Sequence, residues 1–163
     1  MTQLTPSERQ LNQLFRSLQT ATRPKAIEQL QDCIWNVWSK SGYSKVDFAL
    51  NKATEYLKDG DINKAIRIFS NIIRLEPLFS EVYVRRADAY LQSGEFNLAL
   101  KDFRKALKIE PRRFDAMFGI AHIYLTVFDI IGAFNMLSKV MKLMPHEVAL
   151  NTRMELLRRK VNA

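Results

Sequence analysis

The strongest constraint in this sequence is a set of residues that recur every 34 positions between residues 46 and 147. Proline, tyrosine and two columns of alanine keep this spacing through three copies: Pro77, Pro111 and Pro145; Tyr56, Tyr90 and Tyr124; Ala53, Ala87 and Ala121; Ala65, Ala99 and Ala133. Several columns at one period indicate an internal repeat, whose units bury their apolar faces by stacking on their neighbours. The sequence therefore predicts an array of three units at 46–79, 80–113 and 114–147.

Each unit is predicted to be a pair of helices joined by a tight turn. Apolar residues at helical spacing place the first helices at about 46–58, 80–92 and 114–126, and the second helices at about 62–75, 96–109 and 130–143. Gly60 and Gly94 stand in the turns, and the closing prolines stop the second helices. The third turn has Phe128 in the place of a glycine, and we expect the regular geometry to slip there.

Helices are also predicted on both sides of the array. Thr5, Pro6 and Glu8 form a helix-start signature, which predicts a helix at 6–19, and Pro24 opens a second helix at about 24–40. We interpret residues 1–45 as an N-terminal helical cap over the exposed face of the first unit, because the end of a solenoid needs a cover. The last helix, within 148–163, is interpreted as a C-terminal capping helix.

Composition excludes several classes of protein. The one cysteine, Cys33, excludes an internal disulfide framework, and its apolar neighbours Ile34 and Val37 predict that it is buried. The first residues show no secretory signal, and no apolar run approaches the roughly 18 residues of a membrane helix. We therefore expect a cytoplasmic protein without a membrane span.

The net charge of +8 lies mostly outside the repeats. Residues 1–45 have six Lys and Arg against three Asp and Glu, residues 46–147 have fifteen against thirteen, and residues 148–163 have four against one. An excess of positive charge that is spread over the chain in this way is typical of a solvated surface rather than of a phosphate-binding track. Binding of nucleic acid or acidic surfaces through the basic flanks stays open as an alternative function. The predicted basic surface consists of Arg85, Arg86, Arg112 and Arg113.

The repeat columns resemble those of the tetratricopeptide repeat (TPR) family. The second unit is most similar, with signature residues at Tyr83, Ala87, Tyr90, Gly94, Ala99, Phe103, Ala106 and Pro111. In the third unit Phe128, Leu137 and Val140 depart from the signature. The resemblance implies an all-α fold: a right-handed superhelical array of three TPR helix-turn-helix repeats with an N-terminal helical pair and a C-terminal capping helix. In overall layout the chain resembles short bacterial TPR proteins.

The resemblance implies a non-enzymatic scaffold or adaptor that binds a protein segment in a concave groove lined by the first helices. Three positions of each unit are then expected to line the groove: Leu50, Thr54 and Leu57; Val84, Asp88 and Leu91; Phe118, His122 and Leu125. Two aliphatic rows among them suit a peptide or helix with an apolar face. The alternative is that some of these rows pack inside the array.

A sharper function of some TPR proteins is a clamp of cations and amides that grips the C-terminal carboxylate of a chaperone. The five positions that the clamp needs hold Leu50, Thr54, Arg85, Asp115 and Gly119 in this sequence. An acid stands where a cation is required, so we expect no clamp of this kind.

No catalytic, metal-binding or cofactor-binding motif is found in the sequence, whose only histidines are His122 and His146. We therefore predict that the chain is not an enzyme and that it binds no cofactor or metal. Self-association through the ends of the array, with Trp35, Trp38 and Phe128 exposed there, is the remaining alternative and would make a homo-oligomer.

Overall fold

Nine helices and no strand make up residues 5–161, the part of the chain that the computed structural model describes. The helices are α1 Pro6–Thr20, α2 Pro24–Trp38, α3 Ser44–Lys58, α4 Ile62–Leu75, α5 Ser80–Gln92, α6 Phe96–Ile109, α7 Phe114–Thr126, α8 Ile130–Leu143 and α9 Val148–Val161. Residues 1–4 of the predicted N-terminal cap and residues 162–163 of the predicted C-terminal helix lie outside this part. None of these helices is long and apolar enough to cross a membrane. The prediction of an all-α repeat array is confirmed.

Helix α1 begins where the sequence places its start. The Thr5 hydroxyl accepts a hydrogen bond from the Glu8 amide at 3.2 Å, and the Glu8 carboxylate accepts one from the Thr5 amide at 2.7 Å. The bond from the Thr5 amide lowers the pKa of the Glu8 carboxyl because it favours the charged form. The reciprocal pair satisfies amides that the first turn leaves without partners, and so fixes the helix start.

Small residues let the helices of the repeats approach closely. Ala53, Ala65, Ala87 and Ala99 are fully buried where α3, α4, α5 and α6 cross. A Cβ atom placed on Gly119 of α7 would lie 2.3 Å from the ring of Phe103 on α6. A larger residue at these positions would therefore force neighbouring helices apart.

The three hairpin turns share one backbone conformation. The φ angles of Gly60, Gly94 and Phe128 are 85°, 78° and 61°. In every turn the following residue donates its amide proton to a repeat tyrosine's carbonyl over 2.8 Å: Asp61 to Tyr56, Glu95 to Tyr90 and Asp129 to Tyr124. The expected slip at Phe128 is wrong, because this hydrogen bond and the packed helices on both sides hold Phe128 in the left-handed conformation that glycine prefers.

Two hydrophobic clusters hold the helices together. The first joins α3, α4, α5 and α6 with part of α7, and its buried residues include Phe69 and Phe103. The second joins α7, α8 and α9 with α1 and α2, which we call the N-terminal pair. Helix α9 enters this second cluster through Leu150, Met154 and Leu157. The third repeat is thus the meeting point of both ends of the described chain.

The N-terminal pair packs on the third repeat. The ring centroids of Phe15, Trp35 and Trp38 lie 6.4, 5.7 and 5.1 Å from the centroid of Phe114, the first residue of α7. The first cluster, which contains the first repeat, includes no residue of α1 or α2 among those that the structure describes. The expectation that this pair covers the first repeat is therefore wrong.

The side chain at position 114 explains where the N-terminal pair packs. The first two repeats have Val46 and Ser80 at the equivalent position, so Phe114 alone offers an aromatic ring to the aromatic face of α2. A polar contact fixes the same arrangement, because Arg112 Nη1 donates to Asn12 Oδ1 at 2.7 Å.

Two residues of α2 differ in burial from what the sequence predicts. Cys33 is exposed, so the prediction of a buried thiol is wrong. The packed face of α2 is the one with Ile27, Ile34 and Trp38, and Cys33 lies outside it. Because Trp38 is buried in the second cluster, it is not available for self-association through an exposed end.

Candidate functional site

The residues predicted to line the groove lie on the face formed by α3, α5 and α7, but they differ in burial. Leu50 and Val84 expose only 4% and 3% of their surface and belong to the first cluster. Leu57 exposes 7% and belongs to the same cluster. This burial agrees with the alternative that some of these rows pack inside the array, and the partner-binding role of Leu50 and Val84 stays a prediction. Thr54 is half-buried and donates its hydroxyl proton to the Leu50 carbonyl at 2.9 Å.

A cavity of about 370 Å³ opens between α3 and α5 on this face, and we call it the groove pocket. Leu57 and Leu91 give it apolar walls, and Asp88 places a carboxyl group beside them. The other lining residues are polar: Thr54, Lys58, Arg85 and Gln92. The structure thus brings four of the predicted groove residues, Thr54, Leu57, Asp88 and Leu91, into one pocket.

The carboxyl group of Asp88 is the most perturbed group in the groove pocket. Burial raises its pKa from 3.8 to about 6, with Asp115 and Glu81 acting in the same direction and Arg85 and Arg113 opposing them. The causes are burial and charges at a distance, with no hydrogen bond among them. A carboxylate in this setting gains from a cation brought by a ligand.

The predicted groove residues of the third repeat lie beside the N-terminal pair. Phe118 and Leu125 are half-buried and pack against the second cluster, which contains that pair. His122 is exposed on the same helix. The face is therefore open at the first two repeats, and at the third repeat it borders the chain's own helices.

A buried ion network joins the second and third repeats. Arg113 is fully buried, and its guanidinium donates to Glu81 at 2.6 Å and to Asp115 at 2.5 Å. The ring of Trp38 lies 4.3 Å from that guanidinium, so the network also holds the N-terminal pair. Burial alone would raise the pKa of Glu81, but Arg113 and Arg85 hold it below its ordinary value. The buried Glu81 therefore keeps its charge only because Arg113 and Arg85 lie beside it.

The four arginines predicted as a basic surface are all paired with carboxylates: Arg85 with Glu81 at 2.7 Å, Arg86 with Asp102 at 2.6 Å, Arg112 with Glu110 at 2.8 Å and Arg113 with Glu81 at 2.6 Å. Arg113 is buried, so the prediction of a surface position is wrong for it, because Glu81 and Asp115 hold it in the interior. The other three reach the surface in part, and their carboxylate partners offset their charge.

Sequence reasoning overlooked a row of cations on α6. Lys101, Arg104, Lys105 and Lys108 are exposed and line a second cavity, of about 490 Å³, next to Arg86. The signal was present in the sequence, since the four cations follow one another at i, i+3, i+4 and i+7, the spacing of one helix face. We call these four residues the basic stripe.

Metal-binding side chains do not converge in residues 5–161. No group of three His, Cys, Asp or Glu side chains in this part could hold a metal ion. His122, His146 and Cys33 lie on the surface of α7, the α8–α9 connection and α2.

Comparison with known proteins agrees with the helical repeats. The model of the tetratricopeptide repeat family matches residues 80–113, which are the second repeat, and solved TPR domains superpose on most of the chain. The chain has the TPR fold. No curated protein sequence gives a significant match.

Three solved TPR domains illustrate the similarity. The first TPR of Spaghetti (RPAP3), bound to the HSP90 peptide SRMEEVD, has a TM-score of 0.66 and 18% identity, over 73% of this chain and 94% of that one. The Sgt2 TPR domain from Aspergillus fumigatus has a TM-score of 0.65 and 20% identity, over 74% and 81%. The TPR2B domain of yeast Sti1 in complex with pHsp70 has a TM-score of 0.60 and 21% identity, over 72% and 93%.

The clamp positions of this TPR array are taken up by its own packing. Leu50 is buried, and Asp115 is bonded to Arg113. Gly119 lies so close to the Phe103 ring that even a Cβ atom would not fit without a shift of the ring. Leu50, Asp115 and Gly119 therefore offer no cationic grip for a terminal carboxylate.

Proposed function

We propose that this chain is a non-enzymatic interaction module that binds a segment of a partner protein in the groove pocket. The observation that carries the proposal is the open cavity between α3 and α5, on the face formed by the first helices. Two leucines and five polar or charged residues line it, so the cavity offers both apolar contact and polar groups that can orient a bound side chain. The third repeat borders the N-terminal pair, so the segment engages chiefly the first two repeats.

The lining of the groove pocket supports one kind of chemistry for the segment. Leu57 and Leu91 accept an apolar side chain, and Asp88 accepts a cationic group next to it. A ligand cation stabilises the carboxylate of Asp88, whose charge is otherwise disfavoured by burial. We therefore propose a segment in which an apolar residue stands beside a lysine or arginine.

The solved TPR domains support peptide binding by this fold in general. The first TPR of Spaghetti holds an HSP90 peptide, and TPR2B of yeast Sti1 is in complex with pHsp70. The positions of the carboxylate clamp differ in this chain, so we propose a partner whose chemistry differs from that of the acidic peptide SRMEEVD.

A displayed random peptide library, selected on the full chain, tests the proposal. Binding of the selected peptides is measured by fluorescence anisotropy for three proteins: wild type, Leu91→Glu and the control Leu98→Glu. Leu91 lines the groove pocket, whereas Leu98 is an exposed leucine of α6 outside it. We expect Leu91→Glu to weaken binding by about tenfold or more, since a buried methylene-rich contact is replaced by a charge, and Leu98→Glu to leave it unchanged.

Circular dichroism and urea unfolding first establish that both variants are folded. Selected peptides that bind Leu91→Glu as tightly as wild type would show that the groove pocket is not the site. Conversion of Asp88 to Asn separates the two parts of the proposal, because only peptides with a lysine or arginine should lose affinity for that variant.

A further inference from the structure

The basic stripe on α6 forms a charged surface distinct from the groove pocket. Lys101, Arg104, Lys105 and Lys108 lie on one face of the helix, and the stripe is about 10 Å long because seven residues of a helix rise by that distance. On α5 the residues of this cavity are Tyr83 and Arg86, whereas the groove pocket uses Arg85 and Asp88. Residues two positions apart, such as Arg86 and Asp88, point to roughly opposite sides of a helix, because each residue turns the helix by about 100°.

Asp102, the acidic residue that lines this cavity, is already paired with an arginine. Asp102 accepts two hydrogen bonds from Arg86, at 2.6 and 2.8 Å, and Arg86 also donates to Ser70 at 2.9 Å. The bidentate bond raises the pKa of Arg86 further, so its charge is permanent. Asp102 is thus committed to Arg86, and it does not offset the four cations of the basic stripe.

The basic stripe has no carboxylate partner among the ion pairs of residues 5–161. Arg104 donates to the hydroxyl of Tyr124 at 3.3 Å, and that group is neutral. Like charges at i, i+3 and i, i+4 repel one another and disfavour the helix. The helix dipole offsets this cost for Lys108 in the last turn, but Lys101 and Arg104 lie further from the helix end. A bound anionic partner would relieve the repulsion.

We infer that the basic stripe binds an acidic helical segment of a protein partner, with its carboxylates spaced to match the four cations. A helix with Glu or Asp at i, i+3, i+4 and i+7 presents its charges over the same length of about 10 Å. The cavity beside the stripe gives that segment a concave seat rather than a flat surface.

The surroundings favour a protein segment over a nucleic acid strand. Binding of single-stranded nucleic acid relies on exposed aromatic rings that stack on bases. The aromatic residue in this cavity, Tyr83, is buried and donates its hydroxyl proton to the Pro77 carbonyl at 3.1 Å. A stripe confined to one helix also spans too little of a phosphate backbone to act as a track.

Fluorescence anisotropy on the full chain tests the inference with defined probes. The first is an alanine-rich helical peptide with glutamates at i, i+3, i+4 and i+7, the second is the same peptide with glutamines there, and the third is a single-stranded oligothymidylate. Each is titrated at about 50 and 200 mM salt, because surface ion pairs weaken with salt. The tested variant is Lys101→Glu with Lys105→Glu. The control is Lys52→Glu with Lys139→Glu, which changes the net charge equally at exposed positions on α3 and α8.

We expect the glutamate peptide to bind at low salt, the glutamine peptide not to bind, and the stripe variant to lose affinity by about tenfold or more. The control variant should stay within about twofold of wild type. Equal loss in both variants would overturn the inference, since net charge alone would then explain binding. Absence of glutamate-peptide binding at low salt would overturn it as well, and so would tighter binding of the oligothymidylate that depends on the same two lysines.

Discussion

Replacing Arg113 by leucine should destabilise this fold more than any change at its neighbour Arg112. Arg113 is fully buried, and its removal takes a partner from Glu81 at 2.6 Å and from Asp115 at 2.5 Å. Glu81 keeps Arg85, but it stays buried with less compensation. Loss of one partner from a buried ion pair costs about 3–5 kcal/mol, because a charge remains in a medium that solvates it poorly. For a chain of this size the melting temperature should fall by roughly 10 °C.

Urea unfolding followed by circular dichroism measures the effect, with Arg112→Leu as the matched control. Arg112 is partly exposed and pairs with Glu110, so its loss should cost about 1 kcal/mol or less. A second variant, Arg113→Leu with Glu81→Gln, removes the charge that lost its partner and should recover part of the stability. The reasoning is refuted if Arg113→Leu costs no more than Arg112→Leu, or if Glu81→Gln destabilises the Arg113→Leu protein further.

Three other predictions follow from single positions. The folded-state pKa of Asp88, about 6, exceeds the unfolded value of 3.8, so the stability that its protonated form contributes is full below about pH 4 and is lost as pH rises through 6. Asp88→Asn should therefore raise the free energy of unfolding by up to about 3 kcal/mol at pH 7.5 and by nothing near pH 4. Urea titrations at both pH values measure this difference. Phe128→Gly should raise the free energy of unfolding by about 1 kcal/mol, because φ at this position is 61° and the ring, 87% exposed, contributes little packing. Phe128→Ala keeps the backbone strain, so equal gains from both variants would contradict this reason. In the same anisotropy assay, the peptide SRMEEVD should bind this chain at least about tenfold more weakly than it binds the first TPR of Spaghetti. The reason is that Leu50, Asp115 and Gly119 stand where the clamp needs cations, and comparable affinities would contradict it.

The repeat array was predictable because its packing residues recur at one period. Helix α5 spans Ser80–Gln92, where the sequence places a helix at 80–92, since the alanines and the turn glycine leave little freedom. The exception is instructive. Phe128 was expected to disturb the third turn, but the neighbouring helices impose the left-handed backbone on it. The packing of the helices on both sides thus outweighs the local preference of phenylalanine for a negative φ.

The packing of the N-terminal pair was not predictable from its own sequence. An apolar face on α2 shows that the helix needs a partner, but it does not select between the first and the third repeat. The selection depends on Phe114, a residue outside the repeat columns. The burial of Arg113 was not predictable for a related reason. Two adjacent arginines are typical of an exposed surface, and only the fold brings Glu81 and Asp115 around the second of them.

Groove residues were predicted by position in the repeat, and this works only where the neighbouring helices leave space. Leu50 and Val84 face the same side as Leu91, yet both are buried in the first cluster. The basic stripe was not predicted, because adjacent arginines stand out in a sequence, whereas cations that share a helix face recur at intervals of three and four.

The two proposed binding surfaces can be separated because α5 and α6 divide them. Arg85 and Asp88 belong to the groove pocket, and Arg86 lies on the other side of α5 with the cavity of the basic stripe. Arg86 is paired with Asp102 and Arg85 with Glu81, and charges at the surface are screened by salt, so a charge change on one surface should affect the other little. Substitutions at Leu91 and in the basic stripe should therefore act additively on the two partners. If both proposals hold, the second repeat contributes to two binding surfaces of different chemistry, one for an apolar segment with a cation and one for an acidic helix, and this is the arrangement an adaptor requires.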